Sequence, residues 1–290
     1  MAESASTVDG TLLVPIANPE TAQRQLDTAI DVASDRSYEI VVLYVVDVPS
    51  QLSLEDGRRY LLEDEHEALI EDAAAMVEAA GIPVDRRIRM ARGVARGIVG
   101  AVESYDADAI LVGWRGRPPR EDVILGSHLD TVLKKAGCDV LVKRIQRPGP
   151  EAVDSVLVPV AGGPHDDLAT ELAGSIARRH DATVRLLHVL TPEGSERSRS
   201  EADRLLRTKL TEFEDVEVTR TLVEADDVAG TITDRTVDHD LTLLGVSRGG
   251  FLKRRLLGTI SEAVGRHAAG TVILTKRHES VPSRLGRFLS

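Results

Sequence analysis

The chain of 290 residues is 42% hydrophobic and 29% charged, which is typical of a folded protein with one large domain or two of ordinary size. Its formal net charge of -11 disfavours general binding to nucleic acid or anionic lipid. The single cysteine, Cys138, excludes an internal disulfide and a cysteine-rich metal site, so we expect no metal centre. Because there is no apolar run of membrane-spanning length and no signal-peptide pattern, the sequence predicts a soluble, cytoplasmic protein.

The first half of the chain alternates short apolar runs with amphipathic segments, after an N-terminus, residues 1–10, that we expect to be flexible. The segments that favour helices include Thr21–Ser34 and the charged stretch Leu54–Ala80. The apolar runs lack polar alternation, which is typical of strands buried on both faces. The predicted strands are Thr11–Ile16, Glu39–Val46, Pro83–Arg89, Ala109–Val112 and Asp139–Lys143.

Two prolines and a glycine within Arg147–Pro150 mark a break between two halves. We therefore divide the chain into a first domain, residues 11–146, a linker, residues 147–153, and a second domain, residues 154–278. Residues 279–290 form a C-terminal tail, for which a disordered end is the default and a docking peptide is the alternative.

The second half repeats the order of the first. Val156–Ala161 (VLVPVA) follows Leu12–Ala17 (LLVPIA) by 144 residues, and the later apolar runs recur in the same order. Asp166–His180 and Glu193–Phe213 favour helices. The alternation predicts an α/β fold of two tandem, doubly wound, mainly parallel sheets with helices on both faces. The predicted strands of this half are Ser155–Val160, Thr183–Leu190, Val216–Leu222, Leu241–Leu244 and Thr271–Thr275.

Glycines follow the fourth strand of the first half at Gly113 and Gly116, and Gly126 precedes Ser127 at the start of a helical segment. In a doubly wound sheet, ligands bind at the carboxyl ends of the strands where the strand order reverses. Backbone N–H groups of a glycine turn and of a helix N-terminus suit the phosphates of a nucleotide. The alternative is that these glycines only form tight turns. A Walker A loop is excluded, because the sequence has no Gly-Lys pair.

The pattern Gly113-x2-Gly116-x9-Gly126-Ser127 resembles the nucleotide loop of the universal stress protein family. The segments Leu13–Pro15 (LVP), Ala107–Gly113 (ADAILVG) and Val140–Lys143 (VLVK) are similar to the same family, and the two copies cover nearly the whole chain. The resemblance implies two five-stranded sheets of strand order 3-2-1-4-5. It also implies an intrachain pseudo-dimer that pairs through the fifth strands; whether two chains form a homodimer is left open.

By resemblance to family members that bind ATP, we expect ATP or AMP as the ligand, with Mg²⁺ only alongside ATP. The aspartate that contacts adenosine in those members is replaced by Ala17 and Ala161, and losing this acceptor weakens binding by about tenfold or more. Arg248 also replaces a loop glycine in the second half, where it contacts a phosphate or blocks the site, so we expect the first site to be the better one. The predicted nucleotide-binding residues are Pro15, Ile16, Ala17, Val45, Gly113, Arg115, Gly116, Gly126, Ser127, Pro159, Val160, Ala161, Gly245, Arg248, Gly258 and Thr259.

Two further features lie next to the predicted strand ends. His165, Asp166 and Asp167 follow the first strand of the second half, where they could recruit a metal or act as a general base. A helix cap by Asp166 or Asp167 is the more frequent role of such a residue, and we expect that role here. Trp114, the only tryptophan, could lie over a base, plug a partner surface or pack on the sheet.

The leading hypothesis is an adenine-nucleotide-binding regulatory stress-response protein, not an enzyme, that acts through ligand-dependent contacts with a protein partner. The rival is a nucleotide-free interaction scaffold with degenerate pockets. A looser resemblance, carried by Ile16–Pro19 and Val160–His165, to tandem stress-protein domains associated with amino-acid and cation transporters makes a transporter a candidate partner. A slow ATPase is a weaker alternative, since no motif places a carboxylate or histidine as its base.

Overall fold

The computed structural model describes residues 8–115, 127–145, 152–192, 196–246 and 258–279. Their strands form one ten-stranded sheet in the order β3-β2-β1-β4-β5-β10-β9-β6-β7-β8. All neighbouring strands are parallel except β5 and β10, which pair antiparallel. Each half therefore has the order 3-2-1-4-5, and the fifth strands join the halves, as the resemblance implies.

The first half contains five strands and five helices among the described residues. The predicted helical stretch 54–80 is two helices, because Ser53 caps the first and a capping box between Glu63 and His66 starts the second. The elements are β1 (Gly10–Ile16), α1 (Pro19–Arg36), β2 (Tyr38–Asp47), α2 (Leu54–Leu61), α3 (Asp64–Ala79), β3 (Val84–Ala91), α4 (Val94–Ser104), β4 (Ala109–Trp114), α5 (Ser127–Lys135) and β5 (Asp139–Arg144).

The second half repeats this order with a shorter crossover before its third strand, where one helix of the described residues, α7, stands in place of α2 and α3. Short 3-10 turns at Lys209–Glu212 and Thr236–Asp238 follow α7 and α8. The elements are β6 (Ser155–Pro159), α6 (Pro164–His180), β7 (Thr183–Leu190), α7 (Glu196–Thr208), β8 (Val218–Glu224), α8 (Val228–Arg235), β9 (Leu241–Gly245), α9 (Thr259–His267) and β10 (Thr271–Lys276).

The first helix of each half is bounded in a similar way. Asn18 caps α1, its Oδ1 accepting a hydrogen bond from the Thr21 backbone N–H, and Pro19 occupies the first turn. Ser37 ends α1 and Asp181 ends α6, both in the left-handed conformation with φ of 54° and 56°. The two C-caps are 144 residues apart, like the strands before these helices, although α6 begins one residue later than this spacing gives. Positions 144 residues apart are therefore treated as equivalent in this part of the two halves.

The sheet is buried on both faces. One face packs on α1, α3, α6 and α7, and the other on α4, α5, α8 and α9. Each face buries a continuous apolar cluster, which is the arrangement that strands without polar alternation require. No helix among the described residues has the length and apolar character that crossing a membrane requires.

Candidate functional site

A crevice opens in each half between the first and fourth strands. Only two residue pairs at the start of β6 and β9 are in register, Val156 with Leu241 and Leu157 with Thr242, and β1 and β4 pair equally briefly. Beyond these pairs the strands separate towards their carboxyl ends. These are the points where the strand order reverses, which is where doubly wound sheets commonly bind ligands.

In the second half this crevice holds a pocket of ≈ 380 Å³. Its walls are mostly apolar, from strand ends and from the helices that cover them. Four of the predicted nucleotide-binding residues line it, namely Pro159, Val160, Ala161 and Gly245. Its size and apolar lining with a few polar groups are typical of a small-molecule site. The other apolar lining residues are Leu187, Val189, Val228, Ile232, Leu244, Val246 and Ile260.

The most deeply buried charged group of the pocket is Asp166, on the first turn of α6, with a relative exposure of 8%. Its Oδ2 accepts hydrogen bonds from the backbone N–H groups of Ala161 and Gly162, both 2.8 Å long. Gly162 and Gly163 have φ of 98° and 119°, so the left-handed backbone that turns these N–H groups towards Asp166 favours glycine. Burial raises the pKa of the Asp166 carboxyl, and the two backbone hydrogen bonds lower it by less.

The expected helix cap by Asp166 or Asp167 is wrong. Gly163 is the N-cap residue of α6 and supplies no side-chain cap, because α6 begins at Pro164 and places both aspartates inside its first turn. Asp166 instead accepts hydrogen bonds from the backbone of the loop before the helix, and Asp167 forms a salt bridge with Lys209. No group of three or more histidine, cysteine or acidic side chains able to hold a metal occurs in the described part of the chain.

His188 supplies a second polar group to the pocket from the end of β7. Its Nδ1 lies 2.7 Å from the Val160 carbonyl oxygen. Since a carbonyl only accepts, Nδ1 carries the hydrogen, and Nε2 of the neutral ring is left as an acceptor. The pocket therefore presents two acceptors, one from Asp166 and one from His188, on an apolar background.

Gly245 ends β9 against the first turn of α6. A Cβ at this position would collide with Asp166 Oδ1 and lie 2.8 Å from the Asp166 backbone nitrogen. The Gly245 carbonyl in turn accepts a hydrogen bond from Ser261 Oγ on α9, 3.1 Å long. Glycine at this position thus permits the close approach of α6, a role distinct from the predicted contact with phosphate.

The first-half crevice is built from different side chains. Repeat-equivalent positions hold Ala22 for Asp166 and Gln25 for Ala169. Gln25 is 3% exposed, and its Nε2 donates to the carbonyls of Pro15 and Leu111, bridging β1 and β4 where their ladder has ended. A Cβ at Gly113 would lie 2.8 Å from Gln25 Oε1. The first half therefore replaces the pocket carboxylate by a buried amide bridge.

The other predicted site residues are distributed as follows. Ala17 and Arg115 are exposed, Ile16 is buried, and Val45 packs beneath α4, where a Cβ at Gly97 would meet its side chain. Gly258 caps α9, Thr259 begins it, and Ser127 begins α5. Gly116, Gly126 and Arg248 lie outside the described residues, and the prediction for them and for the better first site stays a prediction.

Trp114 packs on the sheet and across the join between the halves. It is 5% exposed, and a Cβ added to Gly265 of α9 would lie 3.3 Å from its ring. Of the alternatives left open by the sequence, packing on the sheet is confirmed. Cys138 is also buried, and burial raises its thiol pKa to about 12, so it lacks the thiolate character of a nucleophile.

Two doubly wound halves of one continuous sheet, each with a crevice between its first and fourth strands, define a tandem α/β protein whose halves pair edge to edge. The model of the Universal stress protein family matches residues 10–144 and 152–276, and the chain belongs to this family. A universal stress protein of Methanocaldococcus jannaschii is 31% identical over 147 residues, which cover 48% of this chain and 84% of that protein. The crystal structure of a universal stress protein from Archaeoglobus fulgidus matches with a TM-score of 0.69 at 20% identity, covering 94% of this chain and 98% of that one.

Transporter proteins also match, which confirms the looser resemblance. The Na(+)/H(+) antiporter NhaS5 of Synechocystis sp. is 23% identical over 271 residues, or 91% of this chain but 38% of the antiporter. The cytoplasmic domain of a prokaryotic cation chloride cotransporter has the same fold, with a TM-score of 0.60 at 11% identity, and the match covers 93% of this chain and 96% of that domain. The tandem arrangement is thus shared with domains that form part of transporters.

Proposed function

We propose that the protein is a regulatory stress-response protein that binds an adenine nucleotide and changes its contacts with a protein partner when it does so. The observation that carries the proposal is the ≈ 380 Å³ apolar pocket at the switch point of the second half. Apolar walls on both sides of a narrow crevice suit a flat, aromatic base. The polar groups at its floor suit the hydrogen-bond donors of a nucleoside.

In this proposal the phosphates of the nucleotide bind at the N-terminus of α9. Ile260 and Ser261 of its first turn line the pocket, directly after Gly258 and Thr259. Free backbone N–H groups and the helix dipole favour anions at such an end. The nucleoside part therefore lies against Pro159, Val160 and Ala161, and the phosphates extend towards α9. In the first half, the corresponding proposal uses Pro15, Ile16, Ala17, Val45, Gly113, Arg115, Gly116, Gly126 and Ser127.

The direct test is to denature the purified protein, identify any released nucleotide by chromatography and mass, and titrate the emptied protein with ATP and AMP by calorimetry. Released nucleotide in stoichiometric amount, or binding in the micromolar range, supports the proposal. Titration with ATP is run with and without Mg²⁺, because Mg²⁺ is expected only with the triphosphate. No nucleotide and no heat would favour the nucleotide-free scaffold.

A matched pair of variants assigns the binding to a half. Ala17 and Ala161 are equivalent and both exposed, so tryptophan at either position fills the mouth of one crevice without disturbing the core. We expect Ala161→Trp to remove binding to the second half and Ala17→Trp to leave that binding intact. If the first half also binds, Ala17→Trp lowers the stoichiometry by one site.

The second candidate function is a transporter-associated regulator, favoured by the match to the Synechocystis antiporter over 91% of this chain. In-cell crosslinking followed by mass spectrometry tests it. A cation or amino-acid transporter crosslinked to this protein, in an amount that changes when the pocket is filled by Ala161→Trp, would join the two proposals. A transporter crosslinked equally to wild type and to Ala161→Trp would show that partner binding does not depend on the pocket.

A further inference from the structure

Only one of the two carboxylate oxygens of Asp166 has a hydrogen-bond partner among the described residues. Its Oδ2 holds the N–H groups of Ala161 and Gly162, while Oδ1 has no hydrogen-bond or salt-bridge partner among the described residues. The residue is 8% exposed and lines the pocket. Oδ1 is not among the fully buried polar atoms that lack a partner, so it is accessible from the pocket, where the donor of a ligand can fill this unused acceptor.

The groups around Asp166 Oδ1 restrict the kind of ligand that can supply the hydrogen-bond donor. The described pocket lining includes two histidines but no lysine or arginine, and the nearby cation, Lys209, already pairs with Asp167 outside that lining. A phosphate beside Asp166 would therefore meet a carboxylate with no lysine or arginine of the described lining to offset its charge. An uncharged group with O–H or N–H donors meets no such repulsion. His188 Nε2 adds a second acceptor from the neighbouring strand end, which again matches a ligand rich in donors.

We propose that Asp166 Oδ1 accepts a hydrogen bond from an O–H or N–H donor of the bound nucleoside and thereby sets the ligand specificity of the second-half pocket. This inference rests on the proposed nucleotide function and names the residue that recognises the ligand. The carboxylate comes from α6, five residues beyond Ala161, and Gly245 leaves the space that it occupies. The equivalent residue of the first half is Ala22, so this recognition belongs to the second half alone.

Asp166→Asn separates ligand recognition from the structural role of this side chain. The two backbone N–H groups of Ala161 and Gly162 require an acceptor, so the asparagine oxygen takes the place of Oδ2 and its NH₂ group takes the place of Oδ1. The loop before α6 keeps both hydrogen bonds, but the acceptor at the Oδ1 position is replaced by a donor. Asp167→Asn is the matched control, since Asp167 is on the same turn, carries the same charge and does not belong to the described pocket lining.

The experiment titrates wild type and both variants, carrying Ala17→Trp to silence the first half, with adenosine, purine riboside and 2′,3′-dideoxyadenosine. Purine riboside lacks the amino donor and dideoxyadenosine lacks the ribose hydroxyls, so the weaker of these two in wild type identifies the donor. We expect Asp166→Asn to weaken adenosine binding roughly tenfold to a hundredfold and to abolish the discrimination against that analogue. Asp167→Asn should behave as wild type.

The outcomes distinguish the two proposals. If wild type binds none of adenosine, AMP and ATP, both the proposed function and this inference fail. If wild type binds adenosine and Asp166→Asn binds all three nucleosides as wild type does, only the role of Asp166 is overturned. An equal loss for all three nucleosides also overturns it, because a structural change would not distinguish their donors. Equal urea midpoints of the variants show that the loop before α6 is intact.

Discussion

Gly113 and Gly245 occupy equivalent positions near the ends of the fourth strands, but a methyl group at each would meet different atoms. At Gly245 the nearest atoms include the backbone of His165 and Asp166 at 2.8 Å. At Gly113 they are the ends of the Gln25 and Ile145 side chains, also at 2.8 Å. Side-chain ends move at little cost, whereas the helix backbone moves only with the helix, so the same substitution has different consequences in the two halves.

We therefore expect Gly245→Ala to destabilise the protein by about 1–3 kcal/mol and Gly113→Ala to cost less. Urea unfolding of both variants, followed by circular dichroism, measures the difference. Neither glycine has positive φ, so backbone strain does not complicate the comparison. Equal losses of stability, or a larger loss for Gly113→Ala, would contradict the packing described for Gly245.

Lys143 is a buried cation on β5 whose ammonium donates to the Arg24 carbonyl and to Thr28 Oγ1. Burial lowers its pKa from 10.5 to about 8, although the carboxylates of Asp27 and Asp31 act in the opposite direction. Between pH 8 and 10.5 the unfolded chain therefore binds a proton that the folded chain has lost. In this window the free energy of unfolding rises with pH, because the cost of burying the charge disappears.

Lys143→Met should remove this pH dependence. The stability of wild type relative to Lys143→Met is expected to rise by up to about 3 kcal/mol between pH 8 and pH 10.5. The difference between the two unfolding curves is the measurement, since the lowered pKa values of Lys209 and Lys276 then contribute equally to both proteins. A pH-independent difference would show that Lys143 is already neutral, or already solvated, in the folded state.

Across the join between the halves, each fifth strand caps the last helix of the opposite half. Arg144 at the end of β5 donates to the carbonyls of Gly265, Arg266, Ala268 and Gly270 around the end of α9. Lys276, the equivalent residue at the end of β10, donates to the Leu133 carbonyl near the end of α5. Both cations satisfy carbonyls that a helix end leaves unpaired and interact favourably with the helix dipole.

These caps predict a crossed pattern of local stability. Arg144→Met should expose the amides of α9 in the second half to hydrogen exchange, and Lys276→Met those of α5 in the first half. We expect the larger effect, about 2–4 kcal/mol, for Arg144, because it serves four carbonyls rather than one. Hydrogen–deuterium exchange with mass spectrometry resolves the two helices. Loss of protection confined to the half that carries the substitution would contradict the crossed caps.

The sequence predicts the positions of the strands and helices better than it predicts the side-chain contacts between them. The sequence locates all ten strands to within about two residues. In the inner strands the signal is a continuous apolar run, because burial on both faces selects an apolar residue at most positions. The edge strands β3 and β8 are partly exposed and carry polar residues. The break between α2 and α3 depends on the local capping box at Glu63, which a charged, helix-favouring stretch conceals. Gln25 and Asp166 were not predicted in their roles, because each depends on partners that only the tertiary fold brings near.

For the whole molecule, the join between the halves combines the β5–β10 ladder with ion pairs between α1 and α6. Arg178 of α6 forms a bidentate pair with Asp35 of α1, with both N–O distances 2.7 Å, and His180 lies 2.9 Å from Asp31. The internal repeat predicts the pairing of the fifth strands through the family resemblance, but not these ion pairs. Equivalent positions of the two helices have diverged in charge, so that α1 supplies the acids and α6 the bases of these pairs.

A double-mutant cycle on Asp35 and Arg178 measures how much these charges contribute to the pairing of the halves. With Asp35→Asn and Arg178→Met we expect a coupling of about 0.5–1 kcal/mol at low salt, which falls towards zero in 1 M salt because the pair is partly exposed. The hydrogen bond from Arg178 lowers the pKa of Asp35, so the coupling is present above pH 4 and is lost as the pH falls through that lowered pKa. The pair of Asp203 and Arg207 within α7 is the control, and its coupling should be smaller. A coupling between Asp35 and Arg178 no larger than in the control would assign the association of the halves to the strand ladder and its apolar cover alone.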